Sequence, residues 1–120
     1  MCLRVLTLAV TLLFVAAPLA ALAEPVGTYD LEGDHPDLAT TYKGTVTVRR
    51  TGSATYQVTW QVNGDQFVGT AIGDDKVLAV NYSGPANGVA LFRAENNNTW
   101  IGLWTPSGSS LVGNEIWRRR

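Results

Sequence analysis

The chain has 120 residues, with nine Lys and Arg against ten Asp and Glu, and it contains one His and one Cys. So balanced a charge excludes the strongly basic surface by which proteins bind nucleic acid non-specifically. A single His and the lack of a Gly-x-Ser-x-Gly sequence leave no recognisable catalytic or metal-binding set. We therefore expect a protein that is not an enzyme and that has no metal site, no cofactor and no nucleic-acid partner.

The N-terminal segment has the pattern of a signal peptide. Residues 1–23 contain one cation, then an apolar run, and they end in the small-x-small sequence Ala21-Leu22-Ala23. A membrane anchor is the alternative, but Pro18 interrupts the apolar run, so we expect cleavage before Glu24. The mature chain is then a single exported domain over residues 24–120, periplasmic or extracellular and without a membrane anchor. It has no cysteine, so packing and closed hydrogen bonding must stabilise it.

Eight short runs of β-type sequence follow one another in the mature chain, with turn residues between them and no helical periodicity. The predicted strands cover approximately residues 25–32, 43–51, 54–62, 66–72, 76–82, 88–94, 99–105 and 110–117. One longer loop is expected between the first two strands, over residues 33–42. The three arginines at the C-terminus, residues 118–120, follow the last predicted strand and are expected to form a solvated tail.

The third run, residues 55–62, alternates strictly between apolar and polar side chains, which predicts a strand with one buried face. Asn63-Gly64 follows it and is the strongest short signal for a β-hairpin, because both central residues of that turn need positive φ. Counting back from this turn places Trp60 opposite Phe67 on the buried side.

Residues 43–73 and 87–117 resemble each other at a constant offset of 44 without a gap. Eight residues of the first copy recur in the second: Gly44, Arg49, Thr55, Trp60, Gly64, Val68, Gly69 and Ile72. The repeat predicts two similar four-stranded halves. By this analogy Ser107-Gly108 forms an equivalent hairpin, with Trp104 opposite Leu111 and Trp100 opposite Glu115.

Eight sequential antiparallel strands in so short a chain predict an all-β, eight-stranded up-and-down barrel closed between its first and last strands. A β-sandwich is the alternative. Glycines inside the predicted strands, among them Gly69, Gly102 and Gly113, favour the barrel, because an inward-facing glycine makes room for an aromatic ring from a neighbouring strand.

The mature chain also resembles a family of small exported bacterial proteins often labelled fibronectin-binding. The resemblance is carried by Tyr42-x-Gly44-Thr45-Val46, Tyr56-x-Val58-x-Trp60, Gly69-Thr70-x-Ile72, Leu78-Ala79-Val80-x-Tyr82, Gly88-Val89-Ala90-Leu91, Trp100-x-Gly102-x-Trp104 and Gly113-x-Glu115-x-Trp117. It implies an extracellular protein partner. More distantly, Gly27-Thr28-Tyr29 is similar to the opening strand of lipocalins and avidins.

Inside the predicted barrel, Glu115 is the polar exception among aromatic residues. An inward carboxylate needs a partner or shifts towards its neutral form. Either it lies near the barrel mouth, wet or paired with a terminal arginine, or it anchors a small hydrophobic ligand. In the second case the ligand-binding residues are Glu115, Trp100, Trp104 and Tyr56; in the first, the aromatic residues are simply core.

The outward positions differ between the two copies of the repeat. Polar residues of the first copy, Thr45, Thr47, Gln57 and Thr59, are replaced in the second by Val89, Leu91, Ile101 and Leu103. An exposed apolar patch of this kind is typical of a contact surface. We therefore expect these four residues to bind a protein partner or a second copy of the chain. Alternative hypotheses are the small-ligand carrier and an inhibitor of a secreted enzyme that acts through residues 33–42.

Overall fold

The computed structural model describes residues 24–120, so the predicted signal peptide, residues 1–23, lies outside the described part of the chain. Eight strands make up almost all of it. In chain order they are β1 (Gly27–His35), β2 (Thr40–Arg50), β3 (Thr55–Val62), β4 (Asp65–Gly73), β5 (Val77–Ser83), β6 (Gly88–Asn96), β7 (Thr99–Pro106) and β8 (Gly113–Arg119).

Each strand pairs antiparallel with its neighbours in sequence, and β1 pairs with β8 to close the barrel. The up-and-down barrel is confirmed, and the sandwich alternative is wrong because one continuous ladder runs through all eight strands. Within residues 24–120 no helix is long and apolar enough to cross a membrane.

The hairpin between β3 and β4 has the predicted register. Asn63 and Gly64 have φ angles of 52° and 81°, as a tight turn with two left-handed residues requires. Trp60 lies opposite Phe67, and Val58 opposite Gly69. The strict alternation of β3 is matched by burial of Val58 and Trp60.

The hairpin between β7 and β8 differs from the prediction by two residues. Trp104 lies opposite Gly113, not Leu111, and Glu115 lies opposite Gly102, not Trp100. The reason is that residues 107–112 form a longer loop; within it, the Thr105 hydroxyl donates a hydrogen bond to the Leu111 carbonyl at 2.7 Å. Because the shift is an even number of residues, every side chain keeps its predicted side of the sheet.

The predicted long loop at residues 33–42 is also corrected. β1 continues to His35 and β2 begins at Thr40, so only residues 36–39 form a turn. The hypothesis of an inhibitory loop therefore loses the long projecting segment on which it rested.

The C-terminal arginines are not a solvated tail. Arg118 and Arg119 belong to β8 and pair with β1. The Arg118 guanidinium donates to Glu32 at 3.0 Å, and that of Arg120 donates to Asp30 at 2.9 Å. Arg119 lies over the Tyr29 ring at 4.7 Å. These side chains help to hold the two closing strands together.

The barrel has two unlike ends. The end that we call the mouth is formed by the turns at residues 36–39, 63–64, 84–87 and 107–112, and the other, the closed end, by the chain termini and the turns at 51–54, 74–76 and 97–98. Towards the closed end, Trp117 packs on Phe92 with ring centroids 4.0 Å apart and on Tyr29 at 5.6 Å. The interior there is filled with side chains, which leaves open space only towards the mouth.

Candidate functional site

The mouth of the barrel opens into a cavity of about 300 Å³. Its lining is mainly aromatic and aliphatic, with one buried carboxylate. The lining residues are His35, Asp37, Leu38, Tyr42, Trp60, Val62, Phe67, Tyr82, Ala86, Ala90, Phe92, Trp104, Pro106 and Glu115. We call this space the mouth cavity.

The aromatic side chains of the mouth cavity meet edge to face. Tyr82 contacts Trp60 and Phe67, each with ring centroids 6.1 Å apart, and Tyr42 contacts Trp104 at 6.2 Å. Such tilted arrangements match the positive edge of one ring with the negative face of the next. These five aromatic side chains all contribute to the lining of the mouth cavity.

Glycines on neighbouring strands make room for these rings, as the sequence predicted. A Cβ on Gly69 would lie 2.9 Å from the Trp60 ring, and a Cβ on Gly113 would lie 2.5 Å from the Trp104 ring. A larger residue at either position would clash with an indole that lines the cavity, so the present packing of these rings requires the two glycines.

Glu115 is buried, with 7% of its surface exposed, and it is held by three donors. Its Oε1 accepts hydrogen bonds from the indole N–H groups of Trp60, at 2.8 Å, and Trp117, at 2.7 Å. Its Oε2 accepts one from the Tyr42 hydroxyl at 2.5 Å. Burial raises the pKa of Glu115 above its ordinary value, and the three hydrogen bonds oppose that rise.

The two tyrosines of the mouth cavity remain neutral donors. Burial raises the pKa of Tyr42, and the nearby Glu115 carboxylate raises it further. The same two causes raise the pKa of Tyr82. A phenol that stays protonated can donate its hydrogen to Glu115 at any pH at which the protein is folded.

Trp104 carries the one buried side-chain N–H or O–H group of the described residues without a hydrogen-bond partner, its indole Nε1. Leaving such a donor unpaired in the interior costs about 1–3 kcal/mol. Trp104 as a whole is only partly buried and lines the mouth cavity, but its Nε1 atom is itself buried, so this N–H is not accessible from the open space.

Two of the four predicted ligand-binding residues, Glu115 and Trp104, lie in the mouth cavity. The other two do not. Trp100 and Tyr56 begin strands β7 and β3 at the closed end, where both are buried. The two-residue error in the β7–β8 register placed Trp100 beside Glu115, and Trp117 lies there instead, hydrogen-bonded to the carboxylate.

Sequence reasoning missed the part that Tyr42 and Tyr82 play in this site. Both have the inward parity of their strands, so alternation could have identified them as interior residues. What the alternation does not show is depth along the barrel axis. Depth depends on the stagger between strands, which only the closed structure defines.

The predicted outer patch is exposed in the structure. Val89 and Leu91 are each 54% exposed, Leu103 is 50% exposed, and Ile101 is partly buried. Leu91 and Leu103 lie directly opposite each other on β6 and β7. Two further exposed side chains, Ile72 and Val112, line the same shallow groove. We call Ile72, Val89, Leu91, Leu103 and Val112 the outer apolar face.

The acidic residues of β1 are not gathered around a metal site. Asp30 pairs with Arg120 and Glu32 with Arg118, and Asp34 accepts a hydrogen bond from the Asn114 backbone at 2.5 Å. Among residues 24–120 there is no group of three or more His, Cys, Asp or Glu side chains placed to bind a metal ion.

Comparison with known proteins finds similarity only in structure. No family model matches the chain, and no curated protein matches it. A redesigned β-barrel, mFAP1, bound to DFHBI, is similar with a TM-score of 0.69 and 15% identity, over 78% of this chain and 94% of that one. The redesigned β-barrel b11L5F_LGL has a TM-score of 0.71 and 14% identity, over 79% and 90% of the two chains. EF1p2_mFAP2b bound to DFHBI has a TM-score of 0.66 and 12% identity, over 79% and 93%. At these identities the likeness shows the barrel fold alone.

Proposed function

We propose that this chain is an exported, non-enzymatic binding protein that holds a small ligand in the mouth cavity. The observation that carries the proposal is the combination of an open, aromatic-lined cavity with the oriented Glu115 carboxylate in its lining. Ligand sites are typically apolar concavities with a few placed polar groups, and this one has that composition.

The size of the cavity limits the ligand. At about 300 Å³ the mouth cavity is at the small end of the usual range for ligand sites. A molecule with one or two rings fits, whereas a long acyl chain does not, because Trp117 and Phe92 fill the interior towards the closed end. The interior of an eight-stranded barrel is just wide enough for one small ligand.

The structural relatives support the proposal by analogy. Two of the similar designed barrels, mFAP1 and EF1p2_mFAP2b, are bound to DFHBI, a small molecule. A β-barrel of similar fold can therefore accommodate such a ligand. The analogy concerns the fold and says nothing of which molecule this chain binds.

A plug in the mouth tests the proposal. Ala86 is exposed in the turn between β5 and β6 and lines the mouth cavity, so Ala86→Trp should obstruct the entrance without disturbing the core. Ala54 is exposed in a turn at the closed end, which makes Ala54→Trp a matched control. Native mass spectrometry detects a ligand that the protein retains, and intrinsic Trp fluorescence detects binding from a panel of small molecules. We expect both methods to find ligands with the wild type and with Ala54→Trp. Binding that persists in Ala86→Trp, or a panel without any ligand, would exclude the mouth cavity as the site.

The outer apolar face favours a second function, self-association. Five half-exposed aliphatic side chains form it, and the pairing partners of Leu91 across the sheet, Ala79 and Leu103, are uncharged. Interfaces between identical chains are the more apolar class, whereas a charged partner would find no complementary charge among these side chains. We therefore choose a second copy of the chain as the occupant of this face.

The expected dimer is weak. Burying the remaining exposed half of each side chain contributes about 1 kcal/mol, or about 10 kcal/mol for the five residues on both copies. Association costs about 4–15 kcal/mol, so the two contributions nearly cancel. The resemblance to exported proteins labelled fibronectin-binding supports a different occupant, an extracellular matrix protein. The self-association experiment in the Discussion distinguishes the two.

A further inference from the structure

Glu115 is a buried carboxylate without a cationic partner among the described residues. Its three hydrogen-bond donors, from Trp60, Trp117 and Tyr42, are all neutral groups. A buried charge normally has a counter-charge, because hydrogen bonds from neutral groups offset only part of its desolvation. When Glu115 is ionised, its charge therefore has no counter-charge among the side chains of residues 24–120.

The mouth cavity contains no Lys or Arg side chain in its lining. Its ionisable groups other than the two tyrosines are Glu115, Asp37 and His35. The cations nearest in sequence to the Glu115 partners are directed elsewhere: Lys43 and Arg118 both pair with Glu32 on the outside of the barrel. The lining of the mouth cavity thus contains two carboxyl groups and no Lys or Arg to pair with them.

Aromatic rings surround the same space. Tyr42, Trp60, Phe67, Tyr82 and Trp104 all line the cavity, and neighbouring rings among them meet edge to face. The face of an aromatic ring carries negative electrostatic potential and attracts a cation within about 6 Å of its centre, most strongly when water is excluded. Several rings with a carboxylate beneath them form the usual cage for a quaternary ammonium group.

We propose, building on the ligand-binding function above, that the ligand of the mouth cavity is a small organic cation, a protonated or quaternary amine on an apolar body. Its charge lies among the aromatic rings, and Glu115 provides the counter-charge. The apolar body packs against Val62, Phe67 and Ala90 near the opening. A neutral aromatic ligand would fit the same volume but would leave the Glu115 charge uncompensated.

A pair of probes that differ only in charge tests this proposal. The cation meta-hydroxyphenyltrimethylammonium and its neutral carbon isostere meta-tert-butylphenol have nearly the same shape and size. The wild-type protein is titrated with each probe by calorimetry and Trp fluorescence. The ratio of the two affinities measures how much the positive charge of the ligand contributes to binding. We expect the cation to bind at least about tenfold more tightly.

Two variants identify the source of this preference. Glu115→Gln keeps a side chain of the same shape and can still accept the indole hydrogen bonds, so we expect it to bind the neutral probe within about threefold of the wild type while the cation preference falls to about threefold or less. Ala86→Trp, which plugs the mouth, should lose both probes, whereas Ala54→Trp should keep both.

The possible results separate this inference from the proposed function. Equal affinity for the two probes, or tighter binding of the neutral one, overturns the proposal of a cationic ligand. The proposal that the mouth cavity binds a ligand would still stand. If the preference for the cation persists in Glu115→Gln or in Ala86→Trp, it comes from acidic residues other than Glu115 in the mouth cavity. That result also overturns the inference of a cationic ligand held by Glu115. If neither probe binds, the inference fails, and the small-molecule panel decides separately whether the cavity binds anything. The comparison of probes on the wild type needs no variant, so the test stands even if Glu115→Gln fails to fold.

Discussion

Trp60 and Trp104 occupy equivalent positions in the sequence repeat, but their indole N–H groups have different surroundings. That of Trp60 donates to Glu115 at 2.8 Å, whereas that of Trp104 has no acceptor. Trp60 is buried and Trp104 is only partly buried. The two-residue shift between β7 and β8 places Trp104 over Gly113 at the mouth. The repeat predicts equivalent buried places for the two indoles, and Trp104 departs from that prediction because it is only partly buried.

This difference predicts unequal effects of the same substitution. Trp60→Phe removes a donor from a buried carboxylate and should lower the free energy of unfolding by about 1–3 kcal/mol. Trp104→Phe removes an N–H that has no partner and should lower it by less than about 1 kcal/mol. Trp60→Ala, which also empties core volume, should cost about 3–5 kcal/mol. Guanidinium unfolding of the variants measures these values, and equal losses for the two Phe variants would contradict the assigned hydrogen bond.

Glu115 predicts a characteristic pH dependence of stability. Burial raises the pKa of Glu115 in the folded protein above its ordinary value of 4.5. The folded state therefore holds this proton more tightly than the unfolded state, and the resulting stability is present below that value and lost as the pH rises through the folded pKa. Relative to Glu115→Gln, the wild type should lose stability as the pH rises above 4.5 and through the raised folded-state pKa.

Glu32 provides the control of opposite sign. Its hydrogen bond from Arg118 and its pairing with Lys43 lower the pKa of this exposed carboxyl. The stability that it contributes is present above its ordinary pKa and is lost as the pH falls. Unfolding midpoints of Glu115→Gln and Glu32→Gln, each compared with the wild type across the same pH range, should diverge in opposite directions. Parallel profiles would contradict the environment assigned to Glu115.

The outer apolar face predicts that association and stability can be separated. Leu91→Thr together with Leu103→Thr restores the polar chemistry of Thr47 and Thr59 in the first copy of the repeat. Because both leucines are about half exposed, monomer stability should change by less than about 1 kcal/mol, while sedimentation should show weaker self-association.

The reverse change is the matched control for that experiment. Thr47→Leu together with Thr59→Leu adds apolar area at the equivalent positions of the other half and should leave the original association intact. If the wild type is monomeric at all concentrations but binds fibronectin through Leu91 and Leu103, the occupant of the outer apolar face is a matrix protein and not a second copy of the chain. A loss of several kcal/mol in the Leu-to-Thr variant would mean that these residues are core.

Barrel closure predicts different roles for two adjacent arginines. Arg119 lies over the Tyr29 ring and donates to the carbonyls of Val26 and Glu24, each at 2.8 Å. Arg119→Ala should therefore destabilise the barrel by about 1–3 kcal/mol. Arg120 makes only an exposed pair with Asp30, so Arg120→Ala should cost less than about 1 kcal/mol. Thermal unfolding of the two variants measures the difference, and a similar effect of both would show that the Arg119 contacts do not stabilise the closure.

The sequence by itself determined which side of the sheet each residue occupies. Alternation along β3 and the Asn63-Gly64 turn were sufficient to predict the β3–β4 register. The turn fixes which residues of the two strands lie opposite each other, and the alternation fixes which face of the strand is buried. The same parity placed Glu115 inside and Leu91 outside, and both predictions survived an error of two residues in the β7–β8 register. Parity is local information, since neighbouring residues of a strand point to opposite faces.

Only the tertiary structure decided how deep each inward residue lies along the barrel axis. Trp100 and Trp104 have the same parity, yet one is buried at the closed end and the other lines the mouth cavity. Depth depends on the stagger accumulated over all eight strands and on the length of the 107–112 loop, and neither is encoded within a single strand. For the same reason the three donors of Glu115, which come from β2, β3 and β8, become neighbours only when the sheet closes.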